Sequence, residues 1–472
     1  MRASLAIAFC LLSAPTLHAG PLGDTVAGHW RSDTASLAAG GTLAPMPLIG
    51  EVRPEAPTSL PLNPSGEVAF ELVRTTPFTW VQGNRYFVEL RVDTRGARAA
   101  IPLGHAADRA NWWFGWRLTS TRADLYHRDR WLDDRAVADG SASTLAVAWR
   151  DGAWTLGAAR RDADLSGVAT GSNLADILGI RRGHERVEFG WDGRLDTLAA
   201  QYESANWSAG AQHSVRDDTA HLALEVAGDP FTGIFANETR TFDAWVGHGP
   251  PAQRYFAFII RSDTDPASSV IASGDAIRGR TSLSAESTVI GVCRRRAGDR
   301  ATEHLELSWI EHSVEFSGRL SHGVLGSLDG QIGADASAGS RTIAARWGQT
   351  RHSDAFRWTL AASVMHTDLS FHGRAIDSPG PFLAPNRHRE ERLHGGGALV
   401  GSISVGAGWE SEGWRTGAVY TLFGGDTWGT FHDLTDAERV STSARIPPAP
   451  DTGPSPRLDL GWTFSLQVSR DL

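Results

Sequence analysis

Alternation of apolar and polar residues restricts the fold of this chain more than any other feature. From about residue 67 onward, segment after segment carries an apolar side chain at every second position. Because the side chains of a β-strand point alternately to its two faces, a period of two predicts strands with one apolar face. The clearest apolar sets are Tyr86, Val88, Leu90 and Val92; Trp112, Phe114 and Trp116; Leu145, Val147 and Trp149; Val187, Phe189 and Trp191; Val314, Phe316 and Leu320; and Ile403, Val405, Ala407 and Trp409.

Tryptophans beside short polar turns favour lipid as the surroundings of the apolar face. Trp149 and Trp154 flank one such turn, Trp409 and Trp414 flank another, and Trp191 precedes an Asp-Gly turn signal. Indole rings at the ends of apolar strands are typical of the aromatic girdle of a transmembrane barrel. Cross-strand packing in a soluble hairpin would give the same pairs, so that alternative stays open at this point.

The last residues of the chain favour the same fold. Trp462, Phe464, Leu466 and Val468 alternate with polar residues close to the final residue of the sequence. This ending resembles the closing strand of bacterial outer-membrane barrels, which the barrel assembly machinery reads. It departs from that pattern at Arg470, which falls on the apolar phase.

Connections of very different length are a further sign of a barrel. Short turns contrast with long Pro- and Gly-containing stretches, which we predict to be loops at 370–397 and 424–456. At roughly 22–25 residues per strand and connection, residues 67–472 correspond to about 16–18 strands. We therefore predict an all-β fold, a transmembrane antiparallel β-barrel of about 16–18 strands, with a short N-terminal periplasmic or plug segment at residues 20–66.

The overall composition excludes three other classes of protein. Of the 472 residues, 41% are hydrophobic and 21% are charged, which is too apolar for disorder and too polar for a bundle of membrane helices. The net charge of −9 argues against nucleic acid as a partner. All 45 basic residues are arginines, so the choice of arginine at any one position says little about bidentate recognition.

Residues 1–19 are predicted to be a secretory signal peptide. A basic start precedes an apolar run from Leu5 to Leu12, and we place cleavage after Ala19. Export together with the barrel pattern predicts the outer membrane as the location, with outer-membrane lipid as a partner. The exported chain would keep Cys293 as its one cysteine, so we expect no internal disulfide.

The segment 20–66 is rich in proline and carries a spaced set of residues. The set consists of Arg31, Asp33, Leu37, Gly41, Leu43, and Pro45 or Pro47. This spacing is similar to the start of the Wzi capsule-assembly family, which begins with Arg-x-Asp, followed by a leucine, a glycine, and a Leu or Ile before a proline. A second likeness covers 154–157 and the Gly- and Ser-containing stretch 167–174.

This resemblance implies an outer-membrane barrel with a helical periplasmic plug and a lectin-like, non-enzymatic role in anchoring capsular polysaccharide. The Pro-rich stretch 53–64 leaves little room for a long plug helix. Arg160 and Arg161 stand near the place of the family's Trp-Trp-Gly-Pro, and Ser172 and Asn173 lie in its Gly-Ser loop. The resemblance thus makes these four residues candidate polysaccharide contacts.

Further candidates come from the phase of the alternation. Trp113 lies on the face opposite its aromatic neighbours, and Trp428 falls in a predicted loop, so both could offer rings to a sugar. Charged residues on the polar face would line the lumen and suit an acidic polymer. Those residues are Arg91, Arg117, Glu315, Arg319 and Arg346.

Two other functions stay open. A porin for carbohydrates or other small solutes would share every feature of the barrel. An outer-membrane hydrolase would need a nucleophile and a base within reach, and the nearest pair, His213 and Ser214, should point to opposite faces of a strand. We predict no metal and no cofactor; three histidines in a predicted loop, which we interpret as solvated, are His372, His388 and His394.

Overall fold

The computed structural model describes residues 67–75, 78–82, 86–103, 112–129, 133–171, 185–226, 229–250, 252–273, 277–298, 300–324, 328–353, 355–378, 387–435 and 457–471. No helix long and apolar enough to cross a bilayer occurs within these ranges. The predicted signal peptide and N-terminal segment lie outside the described residues.

Seventeen strands form a single antiparallel sheet in the described residues. From β3 to β17, each strand pairs with the strand that precedes it in the chain, which is the up-and-down order. The strands are β1 (Glu67–Thr75), β2 (Phe78–Gln82), β3 (Tyr86–Leu103), β4 (Trp112–Asp129), β5 (Asp133–Asp151), β6 (Trp154–Gly171), β7 (Glu185–Glu203), β8 (Trp207–Val226), β9 (Asp229–His248), β10 (Gln253–Ser273), β11 (Ile277–Ala297), β12 (Ala301–Val324), β13 (Leu328–Ser353), β14 (Phe356–Ser378), β15 (Arg387–Ser411), β16 (Trp414–Thr435) and β17 (Arg457–Asp471).

The sheet closes because β1 and β2 together occupy one position between β17 and β3. Each of them pairs with both neighbours. The register against β3 changes by one residue between the pairs Arg74↔Asp93 and Phe78↔Leu90, and the intervening sequence holds Pro77, which has no amide proton for a ladder. The result is a closed barrel of 16 strand positions, which confirms the predicted fold class and strand number.

Tight turns join strands at one end of the barrel, which we call the turn end. β5 and β6 meet across Gly152, and β15 and β16 meet across Glu412 and Gly413. All three residues have a positive φ, the geometry that two-residue hairpin turns require. Bacterial barrels direct their short connections toward the periplasm, so we expect the turn end to lie on that side.

At the other end, the loop end, the strands run further than the sequence predicted. β14 extends to Ser378, β15 begins at Arg387 and β16 extends to Thr435, so much of the two predicted long loops is strand. The Asp-Gly pair after Trp191 also lies inside β7 and makes no turn. Strands of 18–26 residues exceed the 9–11 that cross a bilayer, so the barrel continues beyond its membrane-spanning part.

The outer face of the barrel is apolar near the turn end. Large outward side chains such as Leu145, Leu198 and Ile403 are 55%, 65% and 57% exposed. Tryptophans stand at the edge of this band beside the turns, as the sequence predicted; they include Trp112, Trp154, Trp409 and Trp414. An exposed apolar band edged with indole rings is the lipid-facing surface of a transmembrane barrel.

Nearer the loop end, the outer face becomes charged. The Nε atom of Arg160 donates to Oδ1 of Asp196 at 2.7 Å, and Nε of Arg341 donates to Oε1 of Glu311 at 2.9 Å. These pairs join neighbouring strands on the outside of the barrel. We infer that this part of the wall stands in water or among lipid headgroups.

Apolar side chains at this level turn to the lumen, which corrects two of the predicted apolar sets. Phe189 lies over lumen-facing Gly167, and the ring of Trp191 lies under the guanidinium of Arg216. Val314 and Phe316 share the lumen-facing phase of β12 with buried Ile310. The prediction that these side chains face lipid is wrong. Apolar and polar residues still alternate near the loop end, but there the apolar residues point to the lumen and the charged residues point outward.

Candidate functional site

The lumen has two unlike walls. We call the wall formed by β3–β6 the arginine wall and the wall formed by β9–β13 the packed wall. The lumen-facing positions of the arginine wall are mostly small. In β5 they are Ala136, Ala138, Gly140, Ala142, Thr144, Ala146 and Ala148.

Four lumen-facing residues of the arginine wall stand side by side. Arg98 of β3 pairs with Arg117 of β4, Arg117 pairs with Thr144 of β5, and Thr144 pairs with Arg161 of β6. We call this set the arginine row. Because neighbouring strands lie about 4.8 Å apart, the backbones at Arg117 and Arg161 are separated by about 10 Å, with Thr144 between them.

The side chains of Arg117 and Arg161 are open to the lumen. Their level in the barrel follows from their outward neighbours. Leu118 and Leu145, which adjoin Arg117 and Thr144 in sequence, are 52% and 55% exposed in the apolar band. Arg160, the outward neighbour of Arg161, pairs with Leu145 and belongs to the charged outer surface. The arginine row therefore lies at the edge of the apolar band, where the outer face becomes charged.

Trp113 takes the lumen side of β4, as the sequence predicted, but its ring is buried. It is 4% exposed and packs against Ala146 and Ala148, with Ala159 beside them. The indole therefore fills the wall near the row and offers no open face to a sugar.

The row continues around the lumen to a buried arginine. Arg161 pairs with Leu195 of β7, and Leu195 pairs with Arg216 of β8. The Nε atom of Arg216 donates to Oδ1 of Asp218 at 2.7 Å, and its guanidinium lies 4.9 Å from the centroid of the Trp191 ring. A carboxylate and an aromatic face thus hold this arginine in place, in contrast to the exposed arginines of the row.

Large apolar side chains build the packed wall. The buried cluster consists of Trp245, Phe256, Phe258, Ile260, Val289, Cys293 and Ile310. The ring of Phe258 lies over Gly291, and the ring of Trp245 lies over Gly210, where a Cβ would overlap the ring. Glycines therefore let these rings lie close against the neighbouring strand.

Charged groups in the packed wall are buried as well. Glu306 is 1% exposed and stands opposite Arg346, which is 5% exposed. The Nε2 atom of His304 lies 3.7 Å from Oε2 of Glu306. Arg346 thus faces the lumen, as predicted, but it is far less accessible to a solute than Arg117.

Several residues that were predicted to contact a ligand or line the lumen lie on the outer face of the barrel. Arg160 points outward to Asp196, whereas its neighbour Arg161 points inward. Glu315 and Arg319 lie on the outward phase of β12 together with exposed Leu305. Their assignment to the lumen is wrong, because the apolar face of β12 changes sides along the strand.

Other predicted residues lie in strands or outside the described part. Trp428 belongs to β16, opposite Gly397, so its placement in a loop is wrong; its side chain and that of Arg91 are outside the described residues. Ser172 and Asn173 are also outside them. The three histidines predicted to share a solvated loop are in strands, with His372 in β14 and both His388 and His394 in β15.

Two members of the row, Arg98 and Thr144, are not among the residues predicted from the sequence. A signal for Thr144 was present, because the tight turn after Asp151 fixes the pairing of β5 with β6 and so places Thr144 opposite Arg161. The connection between β3 and β4 is longer, and the register there could not be read from a turn.

The nearest nucleophile and base considered for a hydrolase, Ser214 and His213, do not form a catalytic pair in the described residues. His213 is exposed on the outer face of β8, whereas Ser214 is 7% exposed and points inward. The two side chains therefore cannot act together, as the sequence predicted. Within the described strands, no group of three or more His, Cys, Asp or Glu residues could hold a metal ion.

Comparisons with known proteins find likeness in structure alone. No family model and no curated protein matches the chain. The toluene transporter TodX from Pseudomonas putida has a TM-score of 0.43 and 10% identity, over 93% of this chain and 97% of that one. The ferric yersiniabactin uptake receptor FyuA from Yersinia pestis has a TM-score of 0.37 and 7% identity, over 86% and 80%. The copper transporter OprC has a TM-score of 0.35 and 10% identity, over 86% and 80%.

Proposed function

We propose that this chain is a channel of the bacterial outer membrane through which small solutes diffuse. One observation carries the proposal: the lumen of a closed 16-position barrel exposes Arg117 and Arg161 at the edge of the outward apolar band. An accessible guanidinium at that depth needs water around it. Barrels of 16–18 strands are wide enough to leave an aqueous channel.

The membrane location rests on separate features of the chain. The apolar outer band and its tryptophans support insertion in a bilayer. The predicted signal peptide and the closing strand support export and insertion by the barrel assembly machinery. Outer-membrane lipid would then cover the apolar band.

Anchoring of capsular polysaccharide, implied by the resemblance to the Wzi family, stays a prediction. Its first motif, around Arg31–Pro47, and its Ser172 and Asn173 contacts lie outside the described residues. Arg160 turns away from the lumen. The channel is therefore the function we propose, and retention of polysaccharide is one outcome of its test.

The test reconstitutes the full-length protein into planar bilayers and into liposomes. We expect steady stepwise currents, and swelling of liposomes in small sugars, from protein whose folded state is verified by heat-modifiable gel migration. The same protein after heat denaturation is the control. A folded barrel that gives neither current nor swelling would overturn the proposal, and one that also retains an acidic polysaccharide on beads would favour anchoring.

A further inference from the structure

We infer that the arginine row is a binding site for small oxyanions with more than one negative charge, such as phosphate or pyrophosphate, in the path of the solutes. This inference rests on the proposed channel function and names its preferred solute class. It depends on the register that brings Arg98, Arg117, Thr144 and Arg161 together on one face.

The charge around the row is the first argument. Within four residues of the row along each strand, the lumen-facing positions of β3–β6 are Ala, Gly, Thr, Trp, Leu and Pro, without Asp or Glu. On the neighbouring strand β1, position Glu71 faces Gly96 near Arg98. Arg117 and Arg161 are two and four strand positions away from β1 and its Glu71. The inference therefore depends on this pair and not on Arg98.

Accessibility is the second argument. Arg216 and Arg346 also face the lumen, but they are 9% and 5% exposed, whereas Arg117 and Arg161 are exposed. Both exposed arginines also interact within the protein. A guanidinium has five N–H donors, which is enough for an internal partner and a solute at the same time.

Spacing is the third argument, and it favours a particular class of anion. Backbone positions about 5 Å and about 10 Å apart let long arginine side chains converge on one solute above the Thr144 hydroxyl. Two positive groups attract a divalent oxyanion more strongly than they attract chloride. The preference for such an anion rests on charge and position alone, because a chain without lysine cannot show a preference for arginine.

The outer surface supplies a contrast and a control. Arg160 adjoins Arg161 in sequence but points outward, where it shares Asp196 with Arg194; the Nε atoms of Arg160 and Arg194 donate to that carboxylate at 2.7 and 3.1 Å. Substitution of this outer pair removes the same charge, from β6 and β7, without touching the lumen.

The experiment compares three full-length proteins in planar bilayers: wild type, Arg117→Gln/Arg161→Gln, and the control Arg160→Gln/Arg194→Gln. In a KCl gradient, wild type and control should show an anion-selective reversal potential, and pyrophosphate should block their chloride current. In the lumen variant, the reversal potential should move toward cation selectivity. Its block should require about a hundred-fold more pyrophosphate, as expected for the loss of two charge-assisted contacts that each contribute about ten-fold. Heat-modifiable migration verifies that all three proteins are folded.

The outcomes separate this inference from the proposed function. Current without anion preference, or block that is equal in all three proteins, overturns the oxyanion site and leaves the channel in place. If no protein conducts, the channel fails, and titration calorimetry of pyrophosphate into each detergent-solubilised protein decides the site. Binding that is lost only in the lumen variant supports the site, and binding that is absent or equal in all three overturns it.

Discussion

The arginine wall and the packed wall use the same lumen-facing phase of a β-strand for opposite purposes. On the packed wall, the cluster around Phe258 is no more than 8% exposed, and Glu306 and Arg346 of the same wall are buried as well. On the arginine wall, Ala, Gly and Thr surround Arg117 and Arg161, which stay exposed. The size of the neighbouring side chains therefore decides whether a charged residue in the lumen is structural or accessible.

The largest expected effect is on the stability of the packed wall. Phe258→Ala should lower the free energy of unfolding by about 3–5 kcal/mol, because removal of the buried ring leaves a cavity over Gly291. Denaturant unfolding in detergent micelles measures this, with the outward Phe114→Ala as the matched control. Ion selectivity should be unchanged. A shift in selectivity as large as that of the Arg117/Arg161 variant would erase the distinction between the walls.

The next prediction adds bulk to the arginine wall. Ala142 faces the lumen two residues along β5 from Thr144, and Ser143 between them faces outward. Ala142→Trp should reduce single-channel conductance by about half, because its ring would project where small side chains leave space. Ser143→Trp is the control and should conduct normally. Equal currents from both variants would show that the solute path avoids this wall.

A smaller effect is expected at the turn end of β14–β17, the strands between the packed wall and the closure of the barrel, which we call the seam. There Arg357 bonds Glu410, and Nη2 of Arg415 donates to Oδ1 of Asp471 on the closing strand at 2.8 Å. Arg415→Gln should lower the free energy of unfolding by about 1 kcal/mol, because the pair is partly exposed. Arg470→Gln, which alters an outward arginine over the Trp414 ring, serves as the comparison. Loss of anion selectivity in Arg415→Gln would mean that the seam, and not the row, sets it.

The smallest effect concerns the hydroxyl within the row. Thr144→Val keeps the shape of the side chain and removes one hydrogen-bonding group between two arginines. Pyrophosphate block should weaken by about two-fold, the loss expected for one neutral hydrogen bond that water partly replaces. Thr119→Val, on the lumen-facing phase of β4 and next to Arg117 on that face, is the control. If Thr119→Val weakens the block by pyrophosphate more than Thr144→Val does, the anion does not bind above the Thr144 hydroxyl.

The barrel itself could be predicted from the sequence because period-two alternation, turn signals and flanking tryptophans are local properties. The assignment of faces was harder. Trp113 and Arg117 were placed correctly. They alternate with the outward residues of the apolar band, so the opposite phase of the strand faces the lumen. Arg319 and the apolar set around Phe316 were placed on the wrong faces. On the same strand beyond the apolar band, polar residues point outward and apolar residues point to the lumen.

The row itself required pairing between strands, which alternation alone does not give. Thr144 and Arg161 are joined by a tight turn, whereas Arg98 and Arg117 are joined by a longer connection. Nor does the sequence pattern show that Trp113 would be buried by Ala146 and Ala148, or that Phe258 would lie over Gly291. These contacts depend on the register of neighbouring strands.

The most direct test of the account is chemical modification of the arginine wall while current flows. Thr144→Cys in a Cys293→Ala background places one thiol in the row, and Ser143→Cys places one on the outside. A membrane-impermeant, negatively charged methanethiosulfonate reagent should reduce single-channel current of the Thr144→Cys protein in discrete steps and leave the Ser143→Cys protein unaffected. An unchanged current from a Thr144→Cys protein that mass spectrometry shows to be fully modified would contradict the claim that this wall lines the solute path.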